Sequence, residues 1–186
     1  MQSTLMTILE RLHPILSSFP LVLVFLILVA ETIRILLFVL CKNTEGSSLQ
    51  SALKSSIKFL LLSGLLLVPC TYFSGLFARE AVPVADELSQ TPSSVNDSPA
   101  RASKKIVPES AIDTHALAAR VVLLCFPLLA LLHFLKEAVA ADKRQVGQAI
   151  YVMYLVTLIS CFAAVGATGF LGGELVFRYG AGVSWQ

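Results

Sequence analysis

The chain has 186 residues, of which 56% are hydrophobic and 14% charged, and its mean hydropathy is +0.79. Soluble domains carry roughly 25% charged residues, and a globule of this size has too little interior to hide so much apolar surface. A water-soluble enzyme and a disordered chain are therefore excluded, and a thinly spread net charge of +2 speaks against a nucleic-acid partner.

Four apolar stretches follow one another, over residues 15–40, 57–77, 114–135 and 148–171. Each exceeds the roughly 20 residues a helix needs to cross a hydrocarbon core. None shows the strict alternation of barrel strands, and over such lengths in lipid only a helix satisfies its own backbone. The expected fold is all-α: one integral membrane domain over residues 1–186, an antiparallel bundle of four transmembrane helices. The first stretch is too long for a signal-peptide core and no A-x-A site follows it. Ahead of it, Leu5, Ile8, Leu9 and Leu12 recur at helical spacing. This segment either lies along the membrane interface or extends the first helix.

Between the second and third stretches, residues 79–112 carry Pro83, Pro92, Pro99 and Pro108 among Ser93, Ser94, Ser98 and Ser103, a composition that reads as a flexible loop. The other two connections are short, which makes neighbours of helices one and two and of helices three and four. The face with the short connections carries Lys42, Lys54, Lys58, Lys136, Lys143 and Arg144; the other carries Arg11, Arg79, Arg101, Lys104, Lys105 and Arg178. The number is tied, but the first set is packed into fewer residues. This places the short connections in the cytoplasm and both termini outside. The four cysteines, Cys41, Cys70, Cys125 and Cys161, fall one to each apolar run without metal-type spacing, and read as small core residues. Gly64, Ser63, Gly75, Ala163, Ala164 and Gly166 are expected to line helix contacts.

Chemistry-bearing residues are few. His13 precedes Pro14 at the start of the first helix, and His115 opens the third behind Asp113, a plausible N-cap. Both fall near one membrane face, where a helix N-terminus favours the neutral imidazole. Two such histidines from two helices at equal depth form either a pair of axial ligands for a b-type haem or two helix-end anchors. His133 lies 18 residues after His115, five whole turns and about 27 Å away, and reads as an interfacial anchor beside Lys136. Glu31 and Arg34 form an acid–base pair at i, i+3, about 24 Å below the helix start. They are either an intramembrane functional site or a neutralised pair with Arg34 reaching for the surface. Arg120, about 8 Å into the third helix, is placed either to reach the surface or to hold an anion such as a haem propionate. The fourth helix is expected to stop at Gly172-Gly173, leaving Glu174 on the face of His13 and His115. No hydrolase triad, phosphate loop or HExxH pattern occurs.

The run His13-Pro14-Ile15-Leu16-Ser17-Ser18-Phe19-Pro20 resembles the HPxxxHFP start of a bacterial family of four-helix membrane proteins of unknown function. Glu31 fits that family's acidic residue in the first helix, and Asp113-Thr114-His115 its histidine opening the third. Gly169-Phe170-Leu171-Gly172-Gly173-Glu174-Leu175-Val176 resembles its GHxGGxLV close. The resemblance covers the helices but not the long loop. The family's layout is similar to that of di-haem membrane cytochromes, so the resemblance implies redox work in a bacterial inner membrane. Ser18 and Phe170 stand where the family carries further histidines, so the set it implies here is one haem b on His13 and His115, with Arg120 beside it.

Two function classes remain. One is an electron-transfer protein with one bis-histidine haem and a redox partner. The other is a non-catalytic subunit or scaffold that stabilises a larger membrane complex. Neither needs independent catalysis, and lipid is a partner in both. Transport around Glu31 is disfavoured because Pro69 and Pro127 are each isolated and no helix is broken at mid-membrane.

Overall fold

A computed structural model describes residues 2–40, 48–80, 107–139 and 144–179. Four helices fill them: α1 (Gln2–Leu40), α2 (Ser48–Glu80), α3 (Glu109–Val139) and α4 (Arg144–Tyr179), with no strand among the described residues. All four are long and apolar enough to cross a membrane. The segments 41–47, 81–106 and 140–143 lie outside the described residues, and with them Cys41 and most of the Pro/Ser-rich connection.

Every helix runs further than its apolar stretch. α1 begins at Gln2, so the Leu5–Leu12 repeat extends the first helix. α3 starts at Glu109, where the Pro108 carbonyl accepts from the backbone N–H of Ala111 at 3.0 Å and of Ile112 at 3.4 Å. Asp113 is therefore not the N-cap. It sits a turn inside the helix, with Arg79 Nη2 at 2.9 Å. Gly172-Gly173 does not stop α4, which continues to Tyr179. In an apolar setting a helical hydrogen bond has no competitor in water, and glycine's entropic cost, about 1 kcal/mol in a helix interior, is too small to break the run.

α1 and α2 pack closely, as do α3 and α4; α2 also meets α3, and α4 meets α1, closing a four-membered ring. Val24, Ile27, Ile57, Leu61, Phe126, Leu129, Tyr154, Leu158 and Cys161 fill its centre. The tightest fit is Phe126 against Gly64, where a Cβ would overlap the ring. Gly64 and Gly75 thus line contacts as expected and Ala164 packs on the core, but Ala163 and Gly166 do not line one: both are exposed, and nothing lies within 4 Å of a Cβ placed on Gly166. Cys161 is buried and Cys125 half-buried, but Cys70 is exposed. The outer surface is apolar, with Phe59, Leu66, Leu124, Phe170 and Phe177 all exposed, a surface suited to lipid.

Pro20 shows how the hairpin is locked. It has no N–H, so the Leu16 carbonyl loses its partner four residues on. The Thr71 hydroxyl of α2 reaches that carbonyl at 3.1 Å while also lying 2.9 Å from the Leu67 carbonyl of its own helix. A neighbouring helix supplies the donor that proline removes.

Candidate functional site

His13 projects from α1 onto the last turns of α2. Its Nδ1 lies 3.0 Å from Ser74 Oγ, and the Ser74 hydroxyl donates to the Thr71 carbonyl at 2.7 Å. With the serine hydrogen already committed, the His13 Nδ1–H is the donor to Ser74 Oγ. His115 projects from α3 onto α4, with Nδ1 3.1 Å from the Thr168 carbonyl. A carbonyl only accepts, so here too Nδ1 carries the hydrogen. Each ring therefore keeps its lone pair on Nε2, and neither Nε2 is hydrogen-bonded among the described residues.

Both rings lie on a glycine. A Cβ at Gly75 would stand 2.9 Å from His13 Cε1, and one at Gly172 would stand 3.1 Å from His115 Cε1. The two imidazoles are near enough for a charge on one to act on the other. They come from α1 and α3, which face each other across the ring of helices.

Two hairpins build this site with the same parts, a signal overlooked in reading the sequence for single motifs. Thr71-Tyr72-Phe73-Ser74-Gly75 and Thr168-Gly169-Phe170-Leu171-Gly172 share T-x-F-x-G, whose threonine carbonyl and glycine meet the histidine of the preceding helix. Glu31 follows His13 by 18 residues and Arg34 comes 3 later; His133 follows His115 by 18 and Lys136 comes 3 later. These short spacings relate α1–α2 to α3–α4 as an internal repeat.

The other expected residues divide. Arg120 is exposed and donates through Nε to the Tyr72 hydroxyl at 3.3 Å, on the T-x-F-x-G segment of α2. Glu174 takes Arg178 Nη1 at 2.6 Å within α4 and lines a groove with Thr114 and Tyr179. Arg34 is half-buried. It holds Glu31 through Nη1 at 3.0 and 2.9 Å to the two carboxylate oxygens.

A third partner of Glu31 was not foreseen. Lys136 Nζ, expected at the surface, is buried and donates to Glu31 Oε1 at 3.0 Å, tying α1 to α3. His133 is no interfacial anchor, being 0% exposed and wedged between Phe134 and Tyr154. Placement within one turn of Lys136 suggested the interface for both, but α1 continues past Glu31 and walls them in.

Among the described residues no group of three or more His, Cys, Asp or Glu side chains is arranged to hold a bare metal ion. No family model, curated protein or solved structure matches this chain, so its chemistry is read from these residues alone.

Proposed function

We propose that this is a multi-pass protein of a bacterial inner membrane, its helices standing antiparallel across the bilayer, and that His13 and His115 hold one haem b for electron transfer. The observation that carries this reading is the tautomer forced on both rings. Each Nδ1–H is committed to an oxygen, Ser74 Oγ for His13 and the Thr168 carbonyl for His115. A hydrogen bond of this kind fixes the ring and raises the basicity of the other nitrogen, as at histidines that bind metal.

The surroundings agree. Gly75 and Gly172 let the rings lie close against α2 and α4. Arg120, steadied by Tyr72 at 3.3 Å, is the nearby cation for a propionate. Bound there, a haem supplies one-electron chemistry without a proton donor or a substrate pocket. The exposed apolar side chains face lipid or other membrane subunits, a redox partner among them. The short connections lie in the cytoplasm, where Lys42, Lys54, Lys58, Lys143 and Arg144 crowd into few residues, and both termini lie outside.

Purification from haem-replete cells tests the reading. The expected reduced spectrum has a sharp Soret band and the α-band of six-coordinate b haem. His13→Ala or His115→Ala is expected to convert or abolish it, and His133→Ala to leave it intact. A colourless native protein overturns the haem and leaves the non-catalytic subunit in its place.

A further inference from the structure

The polar groups around Glu31 take no part in the histidine site, which lies about 27 Å away along α1. Glu31 is 1% exposed and accepts from two cations at once, Arg34 and Lys136. The Lys136 ammonium sits over the Tyr154 ring at 3.9 Å and over the Tyr151 ring at 5.0 Å. His133 also packs on Tyr154, ring centroids 5.5 Å apart. Its Nε2 is 3.8 Å from Glu137 Oε1, and Glu137, 28% exposed, is paired at 2.6 Å with the outer Lys58 of α2.

Two features make the cluster unusual. Both ring nitrogens of His133, at its centre, are buried without a protein hydrogen-bond partner among the described residues. Buried groups of this kind hold interior water, and 3.8 Å is a gap that one water bridges. The charges also do not balance. Among the described residues Arg34, Lys58 and Lys136 pair only with Glu31 and Glu137, so with His133 neutral these groups carry one surplus positive charge in an apolar setting, and the loss of one proton makes them neutral.

We propose that this cluster holds one exchangeable proton on Lys136 against Glu31, and that His133 passes it to and from Glu137 at the half-exposed mouth. On release, the Lys136 Nζ–H bond breaks and a water carries the proton to one ring nitrogen of His133. The other ring nitrogen gives its hydrogen to the Glu137 carboxylate, which yields it to solvent. The imidazole ends neutral as the opposite tautomer, and Lys136 ends as an amine still bonded to Glu31. The groups around this path come from every helix: Glu31 and Arg34 from α1, Lys58 from α2, Glu137 from α3, Tyr151 and Tyr154 from α4. The path does not depend on the haem.

The test is a stopped-flow pH jump on the full chain in phosphatidylcholine nanodiscs. Near-UV tyrosine absorbance reports the charge above Tyr154 and Tyr151. The native chain is expected to show a proton-release phase that Lys136→Met abolishes. His133→Phe, which keeps the packing and removes both ring nitrogens, is expected to slow that phase about 100-fold, the usual worth of a positioned proton-transfer group, with its final amplitude unchanged. Glu137→Gln slows it as well, and because Glu137 is half-exposed this variant decides the matter alone should His133→Phe not assemble. The proposal is overturned if the native phase is absent, if it survives in Lys136→Met, or if Glu137→Gln runs at the native rate.

Discussion

The two ends of the bundle join α1 to α3 in opposite ways. At the charged end the bonds run between hairpins: Lys136 of α3 holds Glu31 of α1, and Lys58 of α2 holds Glu137 of α3. At the histidine end the two rings bond only inside their own hairpins, His13 with Ser74 and His115 with the Thr168 carbonyl, and the ties between hairpins run beside them, from Arg79 to Asp113 and from Arg120 to Tyr72. Nothing but proximity relates the two rings, and their outer nitrogens remain open. One end of the repeat has become a permanent clasp, where Glu31 stands in the place that His133 occupies in the second copy. The other end has kept two like arrangements, each a histidine seated on a glycine of the next helix.

That contrast is broken most severely at the clasp. Glu31→Leu leaves the buried Lys136 and the half-buried Arg34 with no anion, and removing one partner of a buried ion pair costs about 3–5 kcal/mol. Lys136→Met leaves the Glu31–Arg34 pair intact, with two hydrogen bonds at 3.0 and 2.9 Å, and is expected to cost far less. Denaturant unfolding in mixed micelles measures both. Equal losses would show that Lys136, not the balance around Glu31, sets the stability.

The next effect belongs to the packing between the ends. Gly64→Leu drives a side chain into the Phe126 ring, and overpacking of this kind costs about 1–3 kcal/mol. Gly166→Leu, at a glycine with nothing within 4 Å, is expected to leave the unfolding midpoint unchanged. Both glycines lie in apolar helices and look equivalent in the sequence, so the pair separates true contact glycines from outward ones.

The number and order of the helices were legible because runs of more than 20 apolar residues leave one option in lipid. Helix ends were not legible. Hydropathy marks where the membrane core stops rather than where backbone hydrogen bonding does, so α3 and α4 ran past Asp113 and Gly173 respectively. The histidine pair was readable from depth alone, since both residues precede apolar runs on one face. The burial of His133 and Lys136 was not. Polarity near a helix end is equally compatible with solvent and with a partner, and only the position of Glu31 on another helix decides between them. The T-x-F-x-G repeat was present in the letters but invisible without knowing that its threonine and glycine meet a histidine.

At the histidine end the repeat supplies its own control. Gly75→Val places a branched side chain where a single Cβ already stands 2.9 Å from His13 Cε1, and Gly172→Val does the same to His115, where the distance is 3.1 Å. A neighbour that tight must give way by a few tenths of an ångström or more, and each variant is expected to loosen its own ring. Weakened haem retention on dilution, with unchanged helix content by circular dichroism, is the expected result for both. Loss confined to one variant would show that the two half-sites are not equal.

The smallest effect comes from the two threonines of the repeat, and it isolates the one bond they do not share. The Thr71 hydroxyl reaches across to the Leu16 carbonyl at 3.1 Å, which Pro20 has left without a helical donor. The Thr168 hydroxyl bonds at 2.8 Å to the Ala164 carbonyl of its own helix, which has no proline four residues on. Valine keeps the shape of threonine and removes the hydroxyl. Thr71→Val therefore orphans a carbonyl between helices, and interhelical hydrogen bonds in membrane proteins are worth about 0.6 kcal/mol, with a maximum near 1.7. Thr168→Val leaves Ala164 O with its backbone partner and is expected to fall within about 0.5 kcal/mol of the native chain. The difference between the two, read from the same unfolding curves, measures what Pro20 demands of its neighbour. If Thr168→Val costs as much as Thr71→Val, the hydroxyl acts within α2 and adds nothing to the α1–α2 hairpin.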